Sequence, residues 1–289
     1  MNKTFKLIDC HTHALEHGVN KEIKVDEMIQ SATHKGLEGI TLTDHLPLPP
    51  GFIDPVPEKD CSMSADKYIE YQKLVKKAVL KYQSQIKVFR GAEVDYLPEY
   101  LNWTKTELAK LNLDYAIGSV HFIGTDSNGV NLILDHGKAS FENCLEIYGG
   151  IKNLAAEYFK RARDMVKTGI FDSIGHLDVL KKYNISNEYF SGNENWYKEE
   201  VLKTLDILKE YNLALELNSS GFIKYGEQYP SLWILKEAKK RNVPIILGSD
   251  AHLPELIGSN FDQAVQIAKE AGYQAISYFI NRKWQEVKI

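Results

Sequence analysis

Cysteine, long apolar runs and an excess charge of one sign are all scarce in this chain of 289 residues. Its three cysteines lie far apart and form no CxxC pair, which argues against a disulfide framework and favours a cytoplasmic location. No apolar run approaches the ~20 residues that span a bilayer, and the N-terminal segment lacks the apolar stretch of a signal peptide. The net charge of −4 gives no electrostatic reason to expect binding to nucleic acid or to an anionic membrane.

Short apolar segments alternate with amphipathic ones along most of the chain. The predicted strands are FKLIDCH, GITLTDH, IKVFRGAEVDY, YAIGSVHF, FDSIGHLD, LALELNSS, PIILGSDAH and AISYFI. Helical patterns cover 21–35, 64–82, 98–111, 151–168, 194–211, 230–241 and 254–271. This alternation predicts an α/β domain with a parallel sheet covered by helices. Seven or eight such units in one domain, residues 1–289, favour a barrel, although a doubly wound sheet gives a similar pattern.

The segment 46–64 interrupts this alternation and holds five of the nine prolines. Proline removes a backbone donor and blocks helix continuation, so we predict a long loop over one face. The loop follows His45 directly and carries Asp54, Glu58 and Asp60. We expect these carboxylates to close over the mouth of a barrel, although a solvated acidic loop would give the same sequence.

Polar side chains stand where the predicted strands end. Six of the nine histidines lie there: His11, His13, His45, His121, His176 and His252. Glu93 and Asp250 occupy similar positions, and His17 follows His13 closely enough to join them. The carboxyl ends of parallel barrel strands meet on one face, where barrel active sites lie. We therefore expect these residues to converge.

The types and spacing of these residues predict a metal centre. Residues i and i+2 of a strand point to one side, so His11 and His13 can bind one cation together, and Asp250 and His252 repeat the spacing. Imidazole and carboxylate without thiolate suit zinc, iron(II) or manganese. One tetrahedral ion needs fewer ligands, so we expect two or three divalent ions with Glu93 as the bridge. A single buried histidine is more often a hydrogen-bonded core residue, but burying this whole set without a cation would be costly.

Three further aspartates, Asp9, Asp44 and Asp178, stand beside these positions. Carboxylates commonly orient metal-bound imidazoles, and turn capping is the alternative role.

The motifs that carry these residues resemble those of the polymerase-and-histidinol-phosphatase (PHP) family. They are the DxHTH opening, TDH, the glutamate after the third strand, SVHF, GHLD and SDAH, spread from about residue 9 to the C-terminus. The segments GSVHFIG, FDSIGHLDVLKKY, ELNSSG and GSDAHLPELIG are most similar to the histidinol-phosphatase branch.

This resemblance implies a distorted TIM-like (β/α)7 barrel with a trinuclear metal centre. It assigns one metal to His11, His13, Glu93 and Asp250. It assigns a second to Glu93, His121 and His176, and a third to His17, His45 and His252. The family's third-site histidine usually lies further beyond the HxH pair than His17 does. Lys224 stands close to where the family often has an arginine.

The resemblance also implies a phosphomonoesterase that acts on a small phosphorylated substrate, with L-histidinol phosphate in histidine biosynthesis preferred. An activated water would attack phosphorus. Lys224 is the candidate phosphate contact, and Asp178 is the candidate proton donor to the leaving group.

Three alternatives stay open on the sequence. One is a phosphatase for another small phosphomonoester or for phosphotyrosine. The second is a metal-dependent amidohydrolase or deaminase, against which the lack of a lysine at a central strand end argues. The third is a non-catalytic, metal-stabilised module, which the intact ligand set disfavours.

Overall fold

The computed structural model describes residues 6–15 and 22–289, and the predicted alternation of strands and helices is confirmed there. The strands are β1 (Ile8–Thr12), β2 (Gly39–Leu42), β3 (Lys87–Asp95), β4 (Tyr115–Ser119), β5 (Phe122–Thr125), β6 (Asn131–Ile133), β7 (Ser173–Ile174), β8 (Ala214–Asn218), β9 (Ile245–Gly248), β10 (Ala275–Ile280) and β11 (Lys283–Lys288). The helices are α1 (Val25–His34), α2 (Ala65–Tyr82), α3 (Leu101–Leu111), α4 (Lys138–Tyr148), α5 (Ile151–Lys167), α6 (Asn195–Glu210), α7 (Gly221–Lys224), α8 (Leu232–Lys240) and α9 (Phe261–Glu270). Within the described ranges, these helices are too short or too polar to cross a membrane.

Seven parallel strands run in the order β1, β2, β3, β4, β7, β8, β9. At the carboxyl ends of the strands the sheet closes into a ring, because Thr12 at the end of β1 forms a parallel bridge with Ala251 beyond β9. The His13 amide donates to the Ala251 carbonyl at 2.8 Å, and the Asp250 amide donates to the His11 carbonyl at 2.8 Å. After β9 in the strand order, β10 pairs parallel with β9, and β11 pairs antiparallel with β10. These pairings give the distorted (β/α)7 barrel that was expected.

The inside of the barrel is apolar at its amino end. Ile8, Phe89, Ile117, Ile246 and Phe279 form one buried cluster there with other interior side chains. The larger core lies outside the strands, where each helix buries one apolar face. The predicted metal ligands that the structure describes lie beyond this cluster, at the carboxyl ends of the strands, as the strand sequences indicate.

The structure adds four elements to the predicted set: α4, the β5–β6 hairpin, the short helix α7 and β11. The hairpin turn is closed by the Asp126 carboxylate, which accepts from the Asn128 and Val130 amides. The last helix begins at Phe261 instead of 254, because Pro254–Leu256 forms a separate 3-10 turn. The segment 46–64 is irregular as predicted, and Val56 anchors it in a small cluster with the hairpin.

Candidate metal centre

An irregularity in β1 aims the HxH pair into the barrel. Ile8 and Cys10 pack with the interior cluster, and regular alternation would turn His11 outwards. The pairing of β1 with β2 shifts register between Asp9 and Thr12. Such a bulge redirects the following side chains. His11 and His13 therefore face the interior, with their Nε2 atoms 3.0 Å apart.

Glu93 lies at the centre of the site and is 1% exposed. Its Oε2 atom is 3.2 Å from His11 Nε2 and 3.4 Å from both His13 Nε2 and His45 Nε2. Its Oε1 atom faces the other way. Oε1 lies 3.2 Å from His176 Nε2 and 3.5 Å from His121 Nε2, and it accepts from Ser119 Oγ at 2.6 Å. The two oxygens thus serve two different groups of imidazoles, which is the geometry that a bridging carboxylate needs.

Asp250 completes the first group from the opposite wall. Its backbone has a φ of 50°, a left-handed conformation that aspartate tolerates better than most residues. Its Oδ1 atom lies 3.5 Å from His13 Nε2 and 3.8 Å from His11 Nε2. The Oδ2 atom accepts from Lys224 Nζ at 2.7 Å. The His252 ring stacks on the His13 ring at 4.2 Å.

The second group consists of His121, His176 and the Oε1 side of Glu93. The Nε2 atoms of the two histidines are 3.2 Å apart. His121 Nδ1 hydrogen-bonds to Asp95 Oδ1 at 2.7 Å, which leaves Nε2 for the centre of the site. Asp95 lies two residues after Glu93 on the same face of β3, so one strand positions both carboxylates.

The spacing of the donor atoms fits divalent metal ions. Two ligands of a tetrahedral ion at ~2.1 Å lie about 3.4 Å apart. In the described residues, four groups of three donors each have all their ligand atoms within 4.8 Å of one another. They are His11–His13–Asp250, Glu93–His121–His176, His13–His45–His252 and His45–Asp95–His121. Imidazole and carboxylate are also the donors that zinc, iron and manganese accept. The residues therefore form a site for divalent metal.

The charges of the site favour a cation at its centre. Burial lowers the pKa of the His121 imidazolium, but the surrounding carboxylates, led by Asp135, outweigh burial and raise that pKa to about 10. Burial raises the pKa of Glu93, but the imidazoles, led by His11 and His45, hold it well below its usual range. Protons on the imidazoles would satisfy these carboxylates, and divalent metal ions would satisfy them in the same place.

The structure brings together every predicted metal ligand that it describes. His45 and His252 meet His13, so His13 belongs to two of the groups. His17, assigned by resemblance to the third metal, lies outside the described residues and stays a prediction.

Two of the three accompanying aspartates have structural roles. The Asp44 carboxylate caps the Ala14 and Leu15 amides, each at 2.8 Å. The Asp9 carboxylate accepts from the Ser249 amide and hydroxyl at 2.9 and 2.6 Å. Burial raises the Asp9 pKa to about 6. Both carboxylates hold backbone segments that carry ligands and do not contact an imidazole ring in the described residues.

Asp178, the predicted proton donor, lies in a buried network with Lys181 and Ser231. Its Oδ2 atom accepts from Lys181 Nζ at 2.9 Å and from the Ser231 amide and hydroxyl at 3.0 Å. The described residues that line the central cavity do not include Asp178. The contacts with Lys181 and Ser231 hold Oδ2, whereas Oδ1 is buried and accepts no hydrogen bond from the described residues. Proton donation by Asp178 stays a prediction.

The ligand groups form the floor of a cavity of about 260 Å³. Its remaining wall consists of Asp60, Cys61, Phe122, Ile133, Asp135, His136, Val179, Lys182, Lys224 and Tyr229. Lys224 thus reaches the cavity, as its prediction requires. Asp135 escaped the sequence analysis because nothing local distinguishes it from a solvated loop residue.

Glu216 was also missed as a functional residue, although a detectable signal was present. It is an acidic residue inside the apolar strand β8 and is 0% exposed. Burying a carboxylate in a strand is costly without partners, so its position indicates a special contact. Glu216 Oε1 lies 2.6 Å from His11 Nδ1.

This chain is similar in sequence to proteins of a known family and to a named relative. The family described as PHP domain matches residues 9–220. A relative from Bacillus subtilis strain 168, named histidinol-phosphatase, is 32% identical over 263 residues, which cover 87% of this chain and 95% of the relative.

Two crystal structures share the fold. One, from Listeria monocytogenes, has a TM-score of 0.80 at 24% identity and covers 89% of this chain and 99% of that one. The other is histidinol phosphate phosphatase from Lactococcus lactis, complexed with zinc, L-histidinol and phosphate. It has a TM-score of 0.72 at 21% identity and covers 97% of this chain and 99% of that one.

Proposed function

Because this chain belongs to the PHP domain family, we propose that it hydrolyses L-histidinol phosphate to L-histidinol and phosphate, a step of histidine biosynthesis. The observation that carries the proposal is that the two oxygens of Glu93 contact two different groups of imidazoles on the floor of the cavity. Such a floor suits a phosphoryl group, which presents several anionic oxygens to neighbouring cations. The relative named histidinol-phosphatase supports the choice of substrate.

The metal centre holds two or three divalent ions in this proposal. His11, His13, Glu93 and Asp250 bind one, and Glu93, His121 and His176 bind another. His45 and His252, with His17, bind a third. When bound, such ions lower the pKa of water and neutralise charge on the phosphoryl oxygens.

Lys224 is the residue best placed to hold the phosphate from the open side. It lies at the end of α7 on the cavity wall, with its ammonium 2.7 Å from Asp250 Oδ2. That contact directs the ammonium at the metal ligand Asp250, while the side chain stays partly exposed to solvent. A phosphate oxygen arriving there meets a cation on one side and the metal-ligand groups on the other.

The loop residue Asp60 is the candidate for the substrate's amine. Asp60 is 8% exposed and lines the cavity. Of the other two carboxylates predicted to close the mouth, Asp54 accepts from the Val56 and Cys61 amides within the loop, and Glu58 is exposed. Asp60 is therefore the loop carboxylate that we propose for contact with the amine.

A phosphate-release screen tests the proposed function. The protein is loaded separately with manganese, zinc and iron(II) and assayed on L-histidinol phosphate, phenyl phosphate, phosphotyrosine and sugar phosphates. We expect kcat/KM for histidinol phosphate to exceed that for phenyl phosphate by about 100-fold or more, because only the former can engage a polar pocket. The Glu93→Gln protein, purified in parallel, controls for contaminating phosphatases.

Hydrolysis of phenyl phosphate without hydrolysis of histidinol phosphate would refute histidinol phosphate as the substrate. The protein would then be a phosphatase of another specificity. If no ester releases phosphate while metals are bound, the proposed phosphatase activity itself is refuted. Amide or amine hydrolysis is then the reaction to assay next.

A further inference from the structure

We propose that Glu216 is a positioning residue that couples the two groups of metal ligands through a single carboxylate. The inference rests on the proposed metal centre, but not on the identity of the substrate. Glu216 itself belongs to none of the four donor groups found in the described residues.

Three hydrogen-bond donors converge on this carboxylate. Oε1 accepts a hydrogen bond from the ring nitrogen Nδ1 of His11 at 2.6 Å. Oε2 accepts hydrogen bonds from the His176 backbone amide at 2.7 Å and from the Asn218 side-chain amide at 3.1 Å. One oxygen therefore contacts a ligand of the first group, and the other contacts the backbone of a ligand of the second.

Each contact fixes a different property of its ligand. A carboxylate on Nδ1 holds the proton there, so the Nε2 lone pair of His11 faces Glu93 and Asp250. The amide contact fixes the backbone at His176, immediately beyond the two-residue strand β7. That strand is too short to hold the His176 ring in place through ladder hydrogen bonds alone.

The sequence leaves room for this arrangement at Gly248. A Cβ atom on Gly248 would overlap both Glu216 Oε1 and the Cβ of His11. The glycine of the GSDAH motif is therefore required by a close approach inside the barrel and not by its own backbone conformation.

A carboxylate is required here, and an amide of the same shape cannot replace it. All three partners donate, and glutamine offers one accepting oxygen and one donating NH2 group. In Glu216→Gln, the NH2 group must face either the ring N–H of His11 or the amide of His176. A buried donor without an acceptor is unfavourable, so the variant must lose one of the two alignments.

The test compares Glu216→Gln with Asp172→Asn. Asp172 is a matched control, because its carboxylate likewise accepts a backbone amide of a neighbouring strand, that of Ala116 at 2.8 Å, but at the opposite end of the barrel. The measurements are metal content per chain, chelator competition and the visible absorption of the cobalt(II)-loaded protein. Thermal unfolding of each variant shows how much stability it has lost.

We expect Glu216→Gln to bind metal about 10- to 100-fold more weakly and to change the cobalt spectrum. Asp172→Asn should keep wild-type metal affinity and spectrum even if it unfolds at a lower temperature. Wild-type metal affinity and spectrum in Glu216→Gln would overturn the proposal, as would equal metal losses in the two variants. Turnover is not a readout, so failure of the proposed substrate leaves this test intact.

A measurement on the unaltered protein covers the case in which Glu216→Gln does not fold. In metal-loaded protein labelled with 15N-histidine, His11 should give a downfield Nδ1 proton that exchanges slowly with water. His11→Gln identifies this signal and separates it from that of His121, whose Nδ1 contacts Asp95. Absence of the His11 signal would overturn the proposal.

Discussion

The two ends of the barrel both contain buried or half-buried carboxylates, but with different partners. At the amino end, Asp172 accepts from the Ala116 amide and from Arg282 Nε, and Asp114 accepts from the Arg90 and Asn281 amides. Backbone amides and an arginine of the chain itself satisfy these charges. At the carboxyl end, Glu93, Asp95 and Asp250 face imidazoles instead.

The difference separates a carboxylate that completes the fold from one that binds a ligand. Glu93 and Asp250 are surrounded by histidines, whose charge depends on protonation, and Asp250 also contacts Lys224. The amino end is electrostatically complete within the chain. The carboxyl end becomes complete only when protons or metal ions enter.

The largest effect should follow from Glu93→Gln. The substitution keeps the shape but replaces one accepting oxygen by a donor and removes the charge that faces both imidazole groups. We expect turnover to fall by several orders of magnitude and metal content to fall by more than one ion per chain. Steady-state kinetics and elemental analysis measure these quantities, and full turnover with wild-type metal content would exclude the bridging role.

Metal removal should destabilise the carboxyl end of the barrel and leave the contacts at the amino end unchanged. Metal at about 1,000 times its dissociation constant adds about 4 kcal/mol to the free energy of unfolding. We therefore expect a lower midpoint in urea after chelation and recovery when metal is restored. Asp172→Asn should show the same metal-dependent gain as the wild type, and identical unfolding curves with and without metal would contradict the comparison.

Asp172→Asn should affect stability alone. Loss of a charged acceptor for the Ala116 amide and Arg282 should lower the free energy of unfolding by about 1–3 kcal/mol. Asp164→Asn, which alters an exposed ion pair with Lys160, is the control and should cost less than about 1 kcal/mol. A loss of bound metal in Asp172→Asn would show that the two ends are not independent.

The smallest effect concerns Asp60, on the wall of the cavity. Asp60→Asn should raise KM for histidinol phosphate about tenfold and leave an aryl phosphate nearly unaffected, because only histidinol phosphate carries the amine. Glu58→Gln removes a nearby exposed carboxylate from the same loop and should change neither KM. Equal losses on both substrates in Asp60→Asn would indicate a defect in the loop and not a lost contact with the amine.

Much of the site was predictable because its residues stand at strand ends. A parallel barrel brings all such ends together, so the convergence of His11, His121 and Asp250 follows once the strands are recognised. The fates of Asp178 and Glu216 did not follow. Both are acidic residues in or beside strands, and only contacts with distant parts of the chain distinguish them: Asp178 accepts from Ser231, and Glu216 contacts His11.

The sequence by itself determined the alternation of strands and helices and the set of donor atoms, because strand periodicity and residue chemistry are local properties. The tertiary structure decided how those donors are divided. A register shift in β1 turns His11 inwards, and the opposite directions of the two Glu93 oxygens assign the histidines to separate groups. These features depend on how distant strands align, and the spacing of residues along the chain does not specify that alignment.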